Sequence, residues 1–487
     1  MFRDLESLAA PNVDLAPGSG PDKPLAWVRT RPGHPYFFTE DGEPWTPIGQ
    51  NDAISWVEFD GLFRRRDLPA VERHLRWLKA HGVTCLRLML EYAQVRHRYF
   101  EKPAGRFVPN MVQLWDDLFA LCEKVGLRIL LTPVDTFWTW LHWRHHPWNR
   151  ANGGPLDHPS RCLLCPDTRQ VIKARLDYSV RRWGGSGALF AWDLWNEIHP
   201  AQAQDSAEPF GEFIHDLSTY VRKLENELYG RAHPQTVSLF GPELWWKPEM
   251  ELREPIFRHP DLDFASIHIY REGAIDKPTD TVGAARDMAD VVAMCLGEIR
   301  DQRPFLDTEH GPIHAFKDKH KTLPAAFDDE YFRHMQWAHL ASGAAGGGMR
   351  WPNRKPHTLT PGMRVAQAGL ARFLPLIEWN RFDRRCWNDR VSASAPAVEA
   401  FGCGDDGQAL LWMLRTDVRG DGTLDPEAAP MQVELRCPGR PGAYQVTRVE
   451  TREGRVVGEE RVECGGDQLT ITAELRTDLA FAVKHLA

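Results

Sequence analysis

Short apolar runs alternate with amphipathic stretches over most of the chain. Eight of these runs are predicted as strands one to eight: Thr46–Gly49, Val83–Leu90, Arg128–Pro133, Leu189–Trp195, Thr236–Phe240, Phe264–Ile269, Pro304–Thr308 and Ala344–Arg350. Between them apolar residues recur at steps of three and four, which is typical of helices packed on a core. Eight alternations predict an α/β fold, a (β/α)8 TIM barrel. The alternative, a doubly wound open sheet, would need a glycine-rich phosphate loop after an early strand, and the sequence has none.

The pattern changes to strict alternation after about residue 385. Six further strands follow, separated by turn sequences such as Asp406-Gly407, and they predict a C-terminal all-β, sandwich-like domain. Residues 36–45 predict a hairpin that plugs the N-terminal end of the barrel. The predicted organisation is an N-terminal extension over residues 1–35, a barrel over 36–384 and a β-sandwich domain over 385–487.

Composition narrows the class of protein. Apolar residues make up 43% and charged residues 26%, as in an ordinary soluble enzyme. The net charge of -8, with no basic stretch interleaved with aromatics, argues against a nucleic-acid partner. No apolar run reaches the roughly 18 residues of a membrane span, and the N-terminus has no secretory pattern. Nine scattered cysteines predict reduced thiols, so we expect a cytoplasmic protein, or a secreted one if a leader was trimmed.

Two predicted strands end in glutamate. Strand four ends in Asn196-Glu197 and strand seven in Glu309-His310-Gly311. Hydrolysis of a glycosidic bond needs one carboxyl group to protonate the leaving oxygen and another to attack or stabilise the anomeric carbon. The C-terminal strand ends are where a barrel builds its active site. Either glutamate alone would more often be a solvated loop residue, but the pair predicts a glycoside hydrolase.

These two strand ends resemble the signature of the clan A glycoside hydrolases, and the chain is most similar to glycoside hydrolase family 5 and its cellulase-like relatives. The resemblance covers residues about 40–380. It implies that Glu197 is the acid/base, that Asn196 binds the sugar 2-hydroxyl and that Glu309 is the nucleophile. It also implies a retaining reaction on a carbohydrate substrate with no cofactor.

Other positions extend the resemblance. Arg87 on strand two resembles the family arginine near the nucleophile, where a buried guanidinium would keep Glu309 ionised. His268 and Tyr270 end strand six, and the tyrosine can donate to the nucleophile. Trp351 after strand eight resembles the tryptophan platform under the sugar. The bland alternatives are a structural ion pair for Arg87 and a core histidine for His268.

The ends of strands one and three supply further candidates. Asn51, Asp135 and Trp138 are predicted to contact substrate. Family 5 usually has a histidine near the end of strand three, where this chain has Asp135. The segment from Val134 to roughly Asp167 shows no helical period, and its length suggests function. Six tryptophans on this segment and after strand five predict sugar-binding walls for at least some of them: Trp138, Trp140, Trp143, Trp148, Trp245 and Trp246.

Two aspartates inside the strands are interpreted as structural. Asp193 is predicted to pair with a buried arginine or a backbone amide. Asp307, which has the same strand parity as Glu309, is predicted to face the interior as a partner of Arg87.

Metal ligands are weakly indicated. Cys162 and Cys165 have a zinc-like spacing but no second pair, and Asp417–Asp425 is more typical of a hairpin turn than of a calcium loop. His142, His145 and His146 are dense, but they are not the His-x-His that a metallohydrolase barrel usually shows after strand one. We therefore predict no metal site.

The sequence predicts a retaining β-glycoside hydrolase that works by double displacement. The missing secretory pattern favours exo action on imported oligosaccharides, in the manner of a β-mannosidase, β-glucosidase or β-galactosidase. The alternatives are an endo-acting mannanase or glucanase, a catalytically silent carbohydrate-binding barrel, and a metal-dependent hydrolase. The C-terminal domain is predicted to buttress the barrel.

Overall fold

The computed structural model describes residues 24–91, 99–271, 273–314 and 322–486, so most of the predicted N-terminal extension lies outside the described residues. A parallel sheet closes on itself in chain order. Its members, called barrel strands one to eight, are Gly49–Asp52, Cys85–Met89, Arg128–Thr132, Leu189–Asp193, Gln235–Thr236 continued by Ser238–Phe240, Ser266–Arg271, Glu309–Pro312 and Met349–Arg350. Strand eight pairs with strand one, which closes the barrel. The predicted (β/α)8 barrel is confirmed.

Helices cover the outside of the barrel, and their ends follow from local sequence. They span Leu68–Ala80, Pro109–Val125, Thr136–Leu141, Pro166–Trp183, Phe210–Tyr229, Glu243–Trp246, Val282–Glu298, Ala325–Ala341 and Pro361–Phe373. Asp67 caps the first of these by accepting a hydrogen bond from the Ala70 amide. Gly126 ends the second at a φ of 82°, a conformation that other residues rarely adopt. In the part of the chain that the structure describes, no helix is long and apolar enough to span a bilayer.

The predicted hairpin lies across the N-terminal end of the barrel. Phe37–Thr39 pairs antiparallel with Pro44–Trp45. The Phe37 ring meets the rings of Phe190 and Phe264 at centroid distances of 5.1 and 5.3 Å. Because these two phenylalanines lie where barrel strands four and six begin, the hairpin seals the end opposite the strand C-termini.

Three predicted strands were misplaced along the chain. The predictions Thr46–Gly49, Pro304–Thr308 and Ala344–Arg350 follow apolar runs, whereas the hydrogen-bonded ladders begin later. Phe305 makes only an isolated bridge, and Glu309 is the first residue of strand seven. The prediction of an irregular segment after strand three was also wrong in part, because Asp135 caps the short helix Thr136–Leu141 there.

The C-terminal domain is all-β, as predicted. One sheet has the order Arg385–Cys386, Val398–Gly404, Gln408–Arg415, Asp478–Leu486, Gly442–Glu450 and Arg455–Cys464, and the other has the order Ser392–Ala393, Met431–Pro438 and Gln468–Leu475. Arg333, on the helix Ala325–Ala341, donates to Thr451 and forms an ion pair with Asp478. All three side chains are buried, so the domain packs directly against a barrel helix.

Candidate active site

Glu197 and Glu309 meet at the C-terminal end of the barrel. A carboxylate oxygen of each, together with a ring nitrogen of His268, lies within 4.8 Å of the others. Glu197 is 4% exposed and Glu309 is 7% exposed. The two glutamates therefore share one nearly dry pocket, in the arrangement that strand order predicts.

Arg87 is the cation at the centre of this pocket and is fully buried. Its Nη1 donates to Glu309 Oε2 and to Asn51 Oδ1, both at 2.8 Å. Its Nη2 donates to Asp193 Oδ2 at 2.7 Å and to Asn196 Oδ1 at 2.5 Å. The guanidinium thus donates to four acceptors: three lie on barrel strands one, four and seven, and the fourth follows strand four. A lysine could not replace it, because its single ammonium group lacks the planar set of donors.

The two structural aspartates differ in outcome. Asp193 pairs with Arg87 and accepts from the Ser238 amide at 3.0 Å, as predicted. The predicted partnership of Asp307 with Arg87 is wrong. Asp307 accepts from the Glu309 amide and lies 2.8 Å from His310 Nδ1. Parity fails here because Asp307 precedes strand seven, where the backbone does not yet alternate regularly.

Strand six presents alternate residues to the pocket. His268 Nδ1 lies 2.7 Å from Glu197 Oε1, and its Nε2 lies 3.2 Å from Thr308 Oγ1. Burial, with Arg87 nearby, holds the pKa of His268 well below its usual range, so the imidazole is neutral. The Tyr270 hydroxyl donates to Glu309 Oε1. Each glutamate therefore has its own partner on strand six.

The electrostatic surroundings give the two carboxyl groups different pKa values. Burial, the Glu309 charge and Asp135 raise the pKa of Glu197 well above its ordinary value. Burial raises the pKa of Glu309 to about 7, but Arg87 and the Tyr270 hydroxyl oppose that rise. As the pair titrates, Glu309 loses its proton first and Glu197 retains one.

Glu197 has a left-handed backbone, with a φ of 48°. For a non-glycine residue this conformation costs on the order of 1–3 kcal/mol and persists where the surroundings hold it. The Glu197 amide donates to Ser238 Oγ at 3.1 Å, and the Thr136 hydroxyl donates to the Glu197 carbonyl at 2.7 Å. Thr136 and Ser238 carry no signal in the sequence, because only tertiary contact brings these common residues to the site.

Asn51 and Asp135, both predicted to contact substrate, are hydrogen-bonded to other groups of the protein. Asn51 Nδ2 donates to the carbonyls of Thr308 and Met349, which ties strand one to strands seven and eight. Asp135 Oδ1 accepts from Asn196 Nδ2 at 2.5 Å, and its Oδ2 accepts from the Trp138 amide at 2.5 Å.

The tryptophans divide into core and rim. Trp351 is 8% exposed and packs in an apolar cluster against which Tyr270 lies. Trp148 is fully buried and donates to Glu101, so it fills the core and is not one of the tryptophans that could form a sugar-binding wall. Trp138 is half-buried. On the short helices that follow barrel strands three and five, Trp140, Trp245 and Trp246 are 40%, 45% and 52% exposed.

Among the described residues, Glu197, His268 and Glu309 are the one grouping of histidine, cysteine or carboxylate side chains close enough to hold a metal ion. These atoms already have other partners: Arg87 and Tyr270 bind Glu309, and His268 binds Glu197. A dication there would meet the buried charge of Arg87, which disfavours it. Cys162 and Cys165 form no such grouping within the described ranges.

No family model matches the chain, but two curated proteins and a solved structure are similar to it. Mannan endo-1,4-beta-mannosidase 2 of Arabidopsis thaliana is 24% identical over 242 residues, which are 44% of this chain and 54% of that protein. Probable mannan endo-1,4-beta-mannosidase F of Aspergillus oryzae is 22% identical over 246 residues, 49% of this chain and 50% of that protein. The matches thus span about half the length of these curated relatives.

Among solved structures, a glycoside hydrolase family 5 protein from Bacteroides vulgatus superposes with a TM-score of 0.58 at 11% identity. The superposition covers 94% of this chain and 93% of that one, so both the barrel and the C-terminal domain are shared. Together with the sequence relatives, this match confirms that the chain resembles the clan A glycoside hydrolases, family 5 among them.

Proposed function

We propose that the protein is a retaining β-glycoside hydrolase, with Glu309 as the nucleophile and Glu197 as the acid/base. The observation that supports this most directly is the approach of the two carboxylates to within 4.8 Å. Retaining enzymes have carboxyl groups about 5–5.5 Å apart, whereas inverting enzymes keep them roughly 6.5–9.5 Å apart to admit a water.

The partners of each carboxylate match the two roles. A nucleophile must be ionised, and Glu309 has both the Arg87 guanidinium and the Tyr270 hydroxyl on its oxygens. An acid must hold a proton, and among the described residues the Glu197 carboxyl group is hydrogen-bonded to the neutral imidazole of His268 and to no cation. The two environments therefore push the proton affinities apart, as paired acid and nucleophile roles require.

Double displacement then follows in two steps. Glu309 attacks the anomeric carbon, forming a glycosyl ester, while Glu197 gives its proton to the departing glycosidic oxygen. In the second step Glu197, now a carboxylate, takes a proton from water, which attacks the same carbon and releases Glu309. Both steps use the same pair, and the product keeps the β configuration.

We propose a β-mannoside as the substrate, because both curated relatives are named as mannan endo-1,4-beta-mannosidases. Their names favour internal cleavage, whereas exo action stays a prediction. Reduced mannohexaose distinguishes the two modes: exo action on the non-reducing end releases mannose one unit at a time, and endo action yields mixed shorter oligosaccharides from the start.

Covalent trapping tests the mechanism. A 2-deoxy-2-fluoro β-mannoside with a dinitrophenyl leaving group should inactivate the protein, because fluorine slows both formation and release of the glycosyl ester, whereas the good leaving group speeds formation only. We expect mass spectrometry of the digest to find the label on Glu309, and proton NMR of a normal turnover to show β product first. An initial α product would refute double displacement, and a panel of aryl β-glycosides without turnover would indicate a silent carbohydrate-binding barrel.

A further inference from the structure

Asp135 occupies a position that the pocket does not need for proton transfer, yet it is almost entirely buried there. One oxygen accepts from Asn196 Nδ2 and the other from the Trp138 amide, each at 2.5 Å. Each oxygen therefore already has a protein donor, and because Asp135 is only 5% exposed, little of the carboxylate surface is open to a sugar hydroxyl. One of these donors, Asn196, directly precedes Glu197 in the chain.

The side-chain amide of Asn196 is hydrogen-bonded through both its oxygen and its nitrogen. Its oxygen accepts from Arg87 Nη2 at 2.5 Å, and its nitrogen donates to Asp135. A flipped amide would set N–H groups against the guanidinium and a carbonyl against the carboxylate, so only one orientation satisfies both neighbours. In that orientation one amide hydrogen goes to Asp135, and the second has no partner among the described residues.

The backbone strengthens the same junction. The backbone N–H of Asn196 donates to the Val134 carbonyl at 2.8 Å, and the backbone N–H of Thr136 donates to the backbone carbonyl of Asn196 at 3.3 Å. Asp135 and Asn196 form a parallel bridge. The segment on either side of Asp135 thus lies directly against the segment that ends in Glu197.

We propose that Asp135 is a positioning residue that aims the free N–H of Asn196 at the sugar 2-hydroxyl and does not itself bind substrate. This proposal rests on the proposed function. A carboxylate suits the task because it accepts through two oxygens, one for Asn196 and one for the helix that it caps. A neutral histidine, the usual family residue near this position, accepts through one nitrogen only.

Burial raises the pKa of Asp135 to about 6, so the group is ionised at neutral pH and above. Its charge in turn raises the pKa of Glu197. Loss of that charge therefore lowers the pKa of the acid, and the basic limb of the kcat/KM profile moves to lower pH in Asp135→Asn.

The test compares an aryl β-glycoside with its 2-deoxy analogue, which is one compound for both mannose and glucose because the two sugars differ only at carbon 2. In the wild type, loss of the 2-hydroxyl should lower kcat/KM by about 100-fold or more. Asp135→Ser keeps an oxygen for the Trp138 amide but offers Asn196 no carboxylate. We expect the variant to lose most of that preference, so that its rates on the two substrates converge.

Asp67→Ser is the matched control, because Asp67 caps the helix Leu68–Ala80 away from the pocket. It should keep the wild-type ratio between the two substrates. If Asp135→Ser does not fold, Asp135→Ala, which likewise leaves Asn196 Nδ2 without its acceptor, gives the same comparison. In an Asn196→Ala background, either change at Asp135 should have little further effect on that ratio.

Equal losses on both substrates would overturn the positioning role, since a purely structural defect or a contact to another hydroxyl does not depend on the 2-hydroxyl. No loss on either substrate would overturn it as well. These outcomes differ from failure of the proposed function, in which the wild type itself turns over neither substrate.

Discussion

Replacement of Tyr270 by phenylalanine removes one hydrogen bond and almost nothing else. The hydroxyl donates to Glu309 Oε1 in a pocket where both side chains are largely shielded from water. Hydrogen bonds to charged groups contribute about 1.5–3 kcal/mol. At 1.36 kcal/mol per pKa unit, its loss should raise the pKa of Glu309 by roughly 1–2 units.

The direction of the pH effect follows from the proposed role. A nucleophile is active when ionised, so its pKa sets the acidic limb of the kcat/KM profile. Burial places the pKa of Glu309 at about 7 with Tyr270 present. In Tyr270→Phe the acidic limb should therefore move to higher pH by roughly 1–2 units, and kcat/KM below that limb should fall by about 10- to 100-fold.

Steady-state kinetics on an aryl β-glycoside across pH measure this shift directly. Tyr331→Phe is the control, because the Tyr331 hydroxyl is also buried but has no hydrogen-bond partner among the described residues. Its profile should match the wild type. An acidic limb that does not move in Tyr270→Phe would show that Glu309 is not the group that titrates there, and the assignment of the nucleophile would fail.

Three other predictions use different measurements. Azide should rescue Glu197→Ala and give a β-glycosyl azide, whereas Glu309→Ala should give the α-glycosyl azide; reversed anomers would exchange the two roles. Activity should survive extended treatment with EDTA, and loss of activity that added zinc restores would establish a metal site. Asp478→Ala should lower the free energy of unfolding in urea by about 3–5 kcal/mol, because it leaves the buried charge of Arg333 unpaired. Glu463, which forms an exposed ion pair with Arg461, is the control. Glu463→Ala should lower the free energy of unfolding by about 1 kcal/mol or less.

Sequence patterns were enough to predict what depends on order along the chain. The barrel follows from eight alternations, and the meeting of Glu197 with Glu309 follows from the strands that they end. The contact of Arg87 with Glu309 was implied by the family resemblance. These predictions succeeded because parallel strands bring their C-terminal ends to one face whatever the loops do.

Patterns failed where a residue's environment depends on distant partners. An apolar run indicates burial but not where the hydrogen-bonded ladder begins, so strand seven was placed before Glu309 and Asp307 was assigned the wrong partner. Trp148 lies among histidines and arginines in the sequence, but it fills a buried space beside Glu101 and Arg175. Composition along the chain carries no information about that packing.

The separation of the two roles does not come from burial, because Glu197 and Glu309 are exposed to nearly the same small extent, 4% and 7%. Desolvation alone would raise both pKa values and leave two neutral acids. What differs is that a permanent cation and a hydroxyl donor both bind Glu309, whereas a neutral imidazole binds Glu197. Arg87 is therefore the group that makes the pair asymmetric, and its four acceptors hold it too firmly to serve both carboxylates. Glu197 itself has a left-handed backbone, and its carboxyl group is hydrogen-bonded to His268.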